Sequence, residues 1–496
     1  MSAPAASGDD SQRDAADLRR SMRLTLWSYI LRIGGPFLLI IVIRLYGAGP
    51  FGVYSVVVGI LTLIMRVSLL GLDKGLLWWL PAQPPGHQRE GIGAALILCT
   101  VTCALAAALV TVGLAPWIAA WAERPDAIPT LRWMAVSVVP MGLMEIFIHA
   151  CAARRRPEAQ IVIKDGLLPV LTPALAIGLH LAGLDALGLG LAHTLAMTIG
   201  ALASAWLFHR VYAGTTWSAP RLLPPRALLV ASRPLWLADL LATTLNRLDV
   251  YMLAAFSNPV TTGLFQGALQ ITQNILAVRT SFDSLVTVLV VEIQQRRDVP
   301  RLVRGFSHAL GLVSLIVAPL TAFILAFSAW ILPLLGDGFV AGVPAVWIMS
   351  FLFVIHGTLG MNQQILVGSG RGSWVPIDAV IAMLAGSLAY ALLLPRYDLT
   401  GAGIASGLTY CVLALLYVIQ ARVIVGVWPY DRGAANMLGL IALAGLAMAG
   451  AWLGLHSVLG DAARVAGFLA FVAVFTPGAL RLRRAPVVAS PALAVP

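Results

Sequence analysis

The sequence predicts an all-α polytopic membrane protein of about fourteen transmembrane helices, arranged as two six-helix lobes with two helices added at the end. Of 496 residues, 59% are hydrophobic and only 11% charged, with a mean hydropathy of +0.88, whereas roughly 25% of a soluble domain is charged. Apolar runs of about 18 residues or more, long enough to cross ~30 Å of hydrocarbon, recur along most of the chain. The second half repeats short stretches of the first at a nearly constant offset. Because the runs are continuous rather than alternating, they call for helices, which satisfy their own backbone groups, and exclude a barrel.

Run length, bounded by Pro, Gly and charge clusters, places the spans at 24–46, 50–71, 91–113, 130–151, 161–182, 186–208, 228–256, 260–283, 306–335, 342–366, 374–394, 400–424, 434–456 and 462–480. The expected organisation is a tail at 1–22, a first lobe at 23–210, a loop at 211–227, a second lobe at 228–425, two further spans at 426–482 and a tail at 483–496. The first twenty residues are polar and carry Asp9, Asp10, Asp14 and Asp17 where a cleavable signal would have an apolar stretch. With the amino terminus inside, only Arg44, Arg124, Arg132, Arg396 and Arg464 of the 33 Lys and Arg fall on the outer side. An odd number of crossings would scramble that asymmetry, so both termini are expected in the cytoplasm, and the membrane is expected to be a bacterial inner membrane.

The net charge of +11 does not point to nucleic acid, because the basic residues fall in short loop clusters such as Arg154-Arg155-Arg156 and Arg296-Arg297. Cys99, Cys103, Cys151 and Cys411 lie within apolar runs without metal-ligand spacing and read as small buried hydrophobes. Trp117, Trp206, Trp330 and Trp452 fall near predicted span ends, where an amphipathic ring suits the interface.

Asp185-Ala-Leu-Gly-Leu-Gly-Leu-Ala192 at the start of span six matches Asp398-Leu-Thr-Gly-Ala-Gly-Ile-Ala405 at the start of span twelve, an offset of 213. Gly52-Val-Tyr54 in span two matches Gly263-Leu-Phe265 in span eight, an offset of 211. An even number of spans separates the copies, so they share one orientation, with substrate expected to pass between the lobes. The paired glycines lack the third glycine and the βαβ unit of a dinucleotide site, and no P-loop is present. The sequence implies no cofactor and no metal.

Ionisable groups at membrane depth are expensive and are candidates for function. Arg32, next to Gly34-Gly35-Pro36, and Arg66 are either cavity residues or snorkelling side chains. On span eight Gln266, Gln270, Gln273 and Asn274 recur at helical spacing ahead of Arg279 and Asp283. Such a stripe either bonds neighbouring helices or wets a cavity, and amides suit sugar hydroxyls. In span seven Asp239, Thr243 and Arg247 share a face, as in a structural Asp–Arg pair, while Asp249 points elsewhere. Glu145 and His149 stand at i and i+4, placed to carry a proton or to join helices; Asp249 and Asp283 are further candidates for ion coupling. Asp378 reads as a helix-end residue. Arginines facing a cavity would suit a phosphate or pyrophosphate.

The run from Leu31-Arg-Ile-Gly-Gly-Pro36 through Gly52-Val-Tyr54 to Gly71-Leu-Asp-Lys-Gly75 resembles the polysaccharide flippase family of the MOP (multidrug/oligosaccharidyl-lipid/polysaccharide) exporter superfamily. Leu245-Asn-Arg-Leu-Asp-Val-Tyr-Met-Leu253, Leu332-Pro-Leu-Leu-Gly-Asp-Gly-Phe339, Asn362-Gln-Gln-Ile-Leu366 and Gly368-Ser-Gly-Arg371 extend that resemblance over roughly residues 20–425. It implies two six-helix lobes in a V, alternating access, and a polyprenyl-pyrophosphate-linked oligosaccharide flipped to the outer leaflet for surface polysaccharide assembly. It also implies partnership with membrane lipid and with the polymerase and glycosyltransferases of the same pathway. In the related lipid II flippases, arginines on spans one, two and eight line the cavity, and Arg32, Arg66 and Arg279 occupy those helices here. The Pro-Asn and Glu-Gly-Ala pattern associated with the lipid II group after span two is missing. The competing readings are a cation-coupled multidrug exporter of the same superfamily, a lipid II flippase, a membrane-embedded transferase or polymerase, and a scaffold. Loops of about twenty residues are short for a catalytic domain.

Overall fold

The computed structural model describes residues 35, 37–121, 128–156, 158–213, 224–295 and 299–484, and among these residues there are helices and no strands. Ten helical stretches are long and apolar enough to cross a membrane. Two of them are double crossings. Gly372–Val423 breaks at Asp398, whose φ of +45° leaves the helical region, and Arg432–Leu480 breaks at Gly460, whose φ is +54°. Pro259–Gln295, 37 residues long, and the apolar helix Phe37–Tyr46 stand where spans eight and one are expected. Counted with these two, the described residues hold fourteen crossing segments, in line with the number of apolar runs. This is a multi-pass membrane protein, and its outward-facing side chains agree: Leu105, Leu109 and Val112 of Gln88–Trp121 and Leu384 and Leu388 of Gly372–Val423 are exposed. Water would penalise that surface, and lipid does not.

The chain divides into two compact units. The first comprises Met1–Ala254 with Asn258–Gly263, and the second Ala255–Ser257 with Leu264–Pro496. In the first unit one apolar core joins spans two to six through Leu61, Met65, Ile92, Met134, Ile148, Ala196 and Phe208. Cys99 and Cys103 are unbridged and lie against Gly142, where a Cβ would come within 2.7 Å of the Cys103 sulfur. Span two ends in a left-handed turn at Leu70 and Gly71 (φ 52° and 70°), after which the short helix Leu72–Trp79 runs back beside it. Gly71 and Gly75 bring that helix onto Arg226–Asn246, since a Cβ at Gly71 would lie 2.7 Å from the Ser232 carbonyl oxygen. In the second unit, the two final spans pack on span nine through Ala318, Ala322 and Ala326 against Met437, Ala444, Met448, Phe471 and Phe475.

Both copies of the repeat open helices. Asp185 begins Asp185–Val211, and Asp398 marks the break before span twelve. Their glycines are packing contacts between helices: a Cβ at Gly190 would sit 2.5 Å from Thr130 Cγ2, and one at Gly403 3.0 Å from Ala345 Cα. Within the first unit, the repeat-related glycines of the other motif meet reciprocally. A Cβ at Gly52 would lie 1.9 Å from the Pro259 carbonyl oxygen, and one at Gly263 1.8 Å from that of Ala48. Backbone cannot move aside as a flexible side chain can. Gly52→Ala and Gly263→Ala are therefore each expected to cost about 1–3 kcal/mol through overpacking, read as a lowered melting temperature in detergent. Gly439→Ala, where nothing lies within 4 Å of the added carbon, is expected to leave the melting temperature level or raised.

Candidate functional site

A guanidinium buried inside a helical bundle must find hydrogen-bond acceptors and opposing charge, and the first unit supplies both to Arg66. It stands in the last turn of span two, next to the left-handed turn that carries Asp73 back to it. Arg66 donates through Nη1 to Asp73 at 3.0 Å and through Nη2 to Glu145 of span four at 3.0 Å, and its Nη1 lies 3.3 Å from Asp239 of Arg226–Asn246. Lys74 pairs with Asp239, and Lys164 donates to Glu145 at 2.6 Å. Trp236 fixes the backbone by donating to the Arg66 carbonyl oxygen at 3.1 Å. Three cations thus face three carboxylates. His149 Nδ1 contacts the Glu145 carbonyl oxygen at 2.8 Å and stands 3.7 Å from its carboxylate. Ligand atoms of Asp73, Glu145 and His149 lie within 4.8 Å of one another, a donor set that suits a cation, but Arg66 and Lys164 already bring positive charge to the same oxygens.

The second unit holds a different arrangement around Arg279, which is only 5% exposed. Its Nη1 donates to His356 Nε2 of span ten at 2.6 Å, and its Nη2 to Gln363 Oε1 at 3.1 Å and, weakly, to Asp283 Oδ2 at 3.4 Å. The imidazole tautomer follows from its partners. His356 Nδ1 lies 2.9 Å from the Tyr410 carbonyl oxygen, which only accepts, and Arg279 only donates. The proton is on Nδ1, and the ring at Arg279 is neutral. Gly360 makes room for the guanidinium, since a Cβ there would stand 3.0 Å from Nη1. Thr287 donates to Gln364 at 2.6 Å beneath it. Asp378 stands in the first turn of its helix, as the sequence predicts, and is fully buried there, accepting from Gln420 at 2.5 Å.

The remaining predicted positions separate. Gln270 and Asn274 are exposed, Asn274 donating to the Gln270 and Ile271 carbonyl oxygens of its own helix, whereas Gln266 is buried with a partner. Asp249 is buried and partnered. Arg247 caps Arg226–Asn246 where span seven breaks (φ −120°), half-buried and within electrostatic reach of Tyr54 and Tyr251. Asp239 pairs with Arg66 and Lys74, so the same-face pairing with Arg247 that the spacing suggests is not formed. Arg32 lies outside the described residues.

A family model described as polysaccharide biosynthesis protein matches residues 41–344. The chain belongs to that family. No curated sequence matches it at a comparable level. Its fold recurs in solved transporters at low identity. A lipid II flippase, MurJ, in an inward closed conformation superposes with a TM-score of 0.74 at 10% identity, over 93% of this chain and 99% of its own. An inward-facing multidrug resistance MATE family transporter of the MOP superfamily gives 0.59 at 17% identity, over 80% of this chain and 98% of its own. The Vibrio cholerae MATE transporter VcmN in its bent form gives 0.54 at 15%, over 82% and 95%.

In this member of the polysaccharide biosynthesis family, sequence reasoning missed His356, Gln363, Lys74 and Lys164. The repeat could have found His356. Glu145 and His356 are separated by 211 positions, the offset of Gly52 and Gly263, whereas Arg66 and Arg279, 213 apart on the two helices that carry those glycines, stand two residues out of step with it. Each unit therefore ties its second helix to its fourth through one arginine. Removing the cation from a buried network strands its partners, so Arg66→Ala is expected to cost about 3–5 kcal/mol, read as loss of folded protein in thermal unfolding. Adding Asp73→Asn to it should restore part of that loss, and strictly additive effects would show that the network is not coupled.

Proposed function

We propose that the protein is a flippase that carries a polyprenyl-pyrophosphate-linked oligosaccharide from the cytoplasmic to the outer leaflet of a bacterial inner membrane, by alternating access, with both termini cytoplasmic. The observation that carries the proposal is Arg279. It is a buried cation whose tightest partner is a neutral imidazole, with only a long contact to a carboxylate, so its charge remains available to an anion. A diphosphate matches the planar fork of arginine. On the same helix, exposed Gln270 and Asn274 present amides of the kind that bind sugar hydroxyls. Membership in a polysaccharide biosynthesis family supports a saccharide cargo, and a fold shared with a lipid II flippase supports a lipid-linked one. The cargo's source and destination would be the glycosyltransferases and polymerase of the same pathway.

The test is flipping by the purified full-length protein in liposomes, using a fluorescent polyprenyl-pyrophosphate oligosaccharide whose outer-leaflet fraction is bleached by dithionite. Wild type should equilibrate the leaflets, and Arg279→Ala should slow flipping by at least about tenfold, the loss of one charge-assisted contact. Transport of a cationic dye with no movement of the lipid-linked sugar would overturn the proposal in favour of a multidrug exporter.

A further inference from the structure

The two arginine clamps, one in each unit, differ in their countercharge. Arg66 meets three carboxylates within 3.3 Å, and lysines in turn meet two of those. In the second unit, Arg279 meets one carboxylate, Asp283, at 3.4 Å. The substitution that separates them is at the fourth-helix partner, Glu145 in one unit and His356 in the other. Histidine accepts a hydrogen bond from Nη1 of Arg279, as Glu145 does from Nη2 of Arg66, and leaves the charge uncancelled.

The unused donors of Arg279 lie on a definite edge. Nη1 is held by His356, whereas Nε is buried without a hydrogen-bond partner and Nη2 carries the long contact to Asp283. Nε–H and Nη2–H form the side-on edge of a guanidinium, spaced for two oxygens of one phosphate. Asp283 is the more exposed of the pair, its side chain 24% exposed against 6% for Arg279. An anion approaching Arg279 therefore meets Asp283 first.

From this geometry we infer that Asp283 is a resident counter-ion which the diphosphate of the substrate displaces from the Nε–Nη2 edge of Arg279, while His356 holds the guanidinium in place in both states. Gln363 keeps its bond to Nη2 and presents the same edge. The empty site is thus kept neutral by the chain's own carboxylate, and the loaded one by the cargo. Asp283 also acts as a selectivity element: a weak monoanion competes poorly with it, whereas a diphosphate, with more charge and two forks' worth of oxygens, displaces it. This inference rests on the reading of Arg279 as the anion site.

The experiment measures binding of inorganic pyrophosphate and, separately, of farnesyl diphosphate to the full chain in nanodiscs by calorimetry, each variant first being confirmed monodisperse. Wild type should bind both. Arg279→Gln, which keeps a hydrogen-bonding side chain for His356, should weaken binding by at least about thirtyfold, and Asp283→Asn should tighten it by about tenfold. His356→Gln should retain most of the affinity, and His356→Glu, which sets a carboxylate against Arg279 as Glu145 is set against Arg66, should fall to the level of Arg279→Gln. Weaker binding in Asp283→Asn, unchanged binding in His356→Glu, or no binding of either probe to wild type would overturn the inference. Pyrophosphate binding in the expected order without farnesyl diphosphate binding would uphold the site and remove the lipid-linked cargo. Flipping that survives while the Asp283 order fails would remove this inference alone.

Discussion

A guanidinium placed among membrane-spanning helices dictates much of what surrounds it. Arginine stays protonated, and its planar group must be met by acceptors and by opposing charge or the helix carrying it will not stay buried. In the first unit, meeting that demand at Arg66 brings together span two, the helix Leu72–Trp79, span four, Lys164 and span seven. The left-handed turn at Leu70 and Gly71 serves the same end, since a helix continuing straight would have carried Asp73 away from Arg66. In the second unit the equivalent arginine ties span eight to span ten with less charge and more neutral hydrogen bonding. One structural device has thus been built twice, once closed electrostatically and once left short of countercharge.

The helical class and the crossings were legible in the sequence because both are local properties. A run of apolar residues long enough to span hydrocarbon reads the same whatever its neighbours are, and breakers such as Gly460 mark where one run becomes two. The glycine pairs at Gly188 and Gly401 were legible as helix starts, for they need only the local pattern and the absence of a nucleotide motif. The partner that each glycine packs against was not, since Thr130 and Ala345 lie in other spans.

The candidate site was legible only in part, and the boundary follows the range of the interactions. Arg66, Glu145, Arg279 and Asp283 stood out because a charge in an apolar run is conspicuous on its own. Whether such a charge faces water or a partner depends on residues far away in the chain. Glu145 is 79 positions from Arg66, Asp239 is 165 from Lys74, and His356 is 77 from Arg279. Lys74 and Lys164 looked like loop cations near span ends, and nothing in their immediate sequence marks them as members of a buried network. The amide stripe of span eight divides for the same reason, Gln266 turning into the packed interior and Gln270 and Asn274 staying exposed.

The repeat is what connects the legible part to the rest. A duplicated bundle fixes which helices meet, so an arginine at a given depth in the second helix of one copy has a counterpart in the other, and its partner on the fourth helix does too. Divergence can then act on the partner without disturbing the packing: glutamate and histidine both accept a hydrogen bond from a guanidinium, and only one of them removes its charge. Chemistry diverges in the side chains that meet each arginine, while helices are held close by glycine contacts that leave no room for a methyl group. That division of labour explains how two units of common plan can serve as a neutral strut in one and an open cation in the other. It also places the difference between them in the partners, Asp73, Glu145 and Asp239 in one unit and His356, Gln363 and Asp283 in the other, rather than at the arginines themselves.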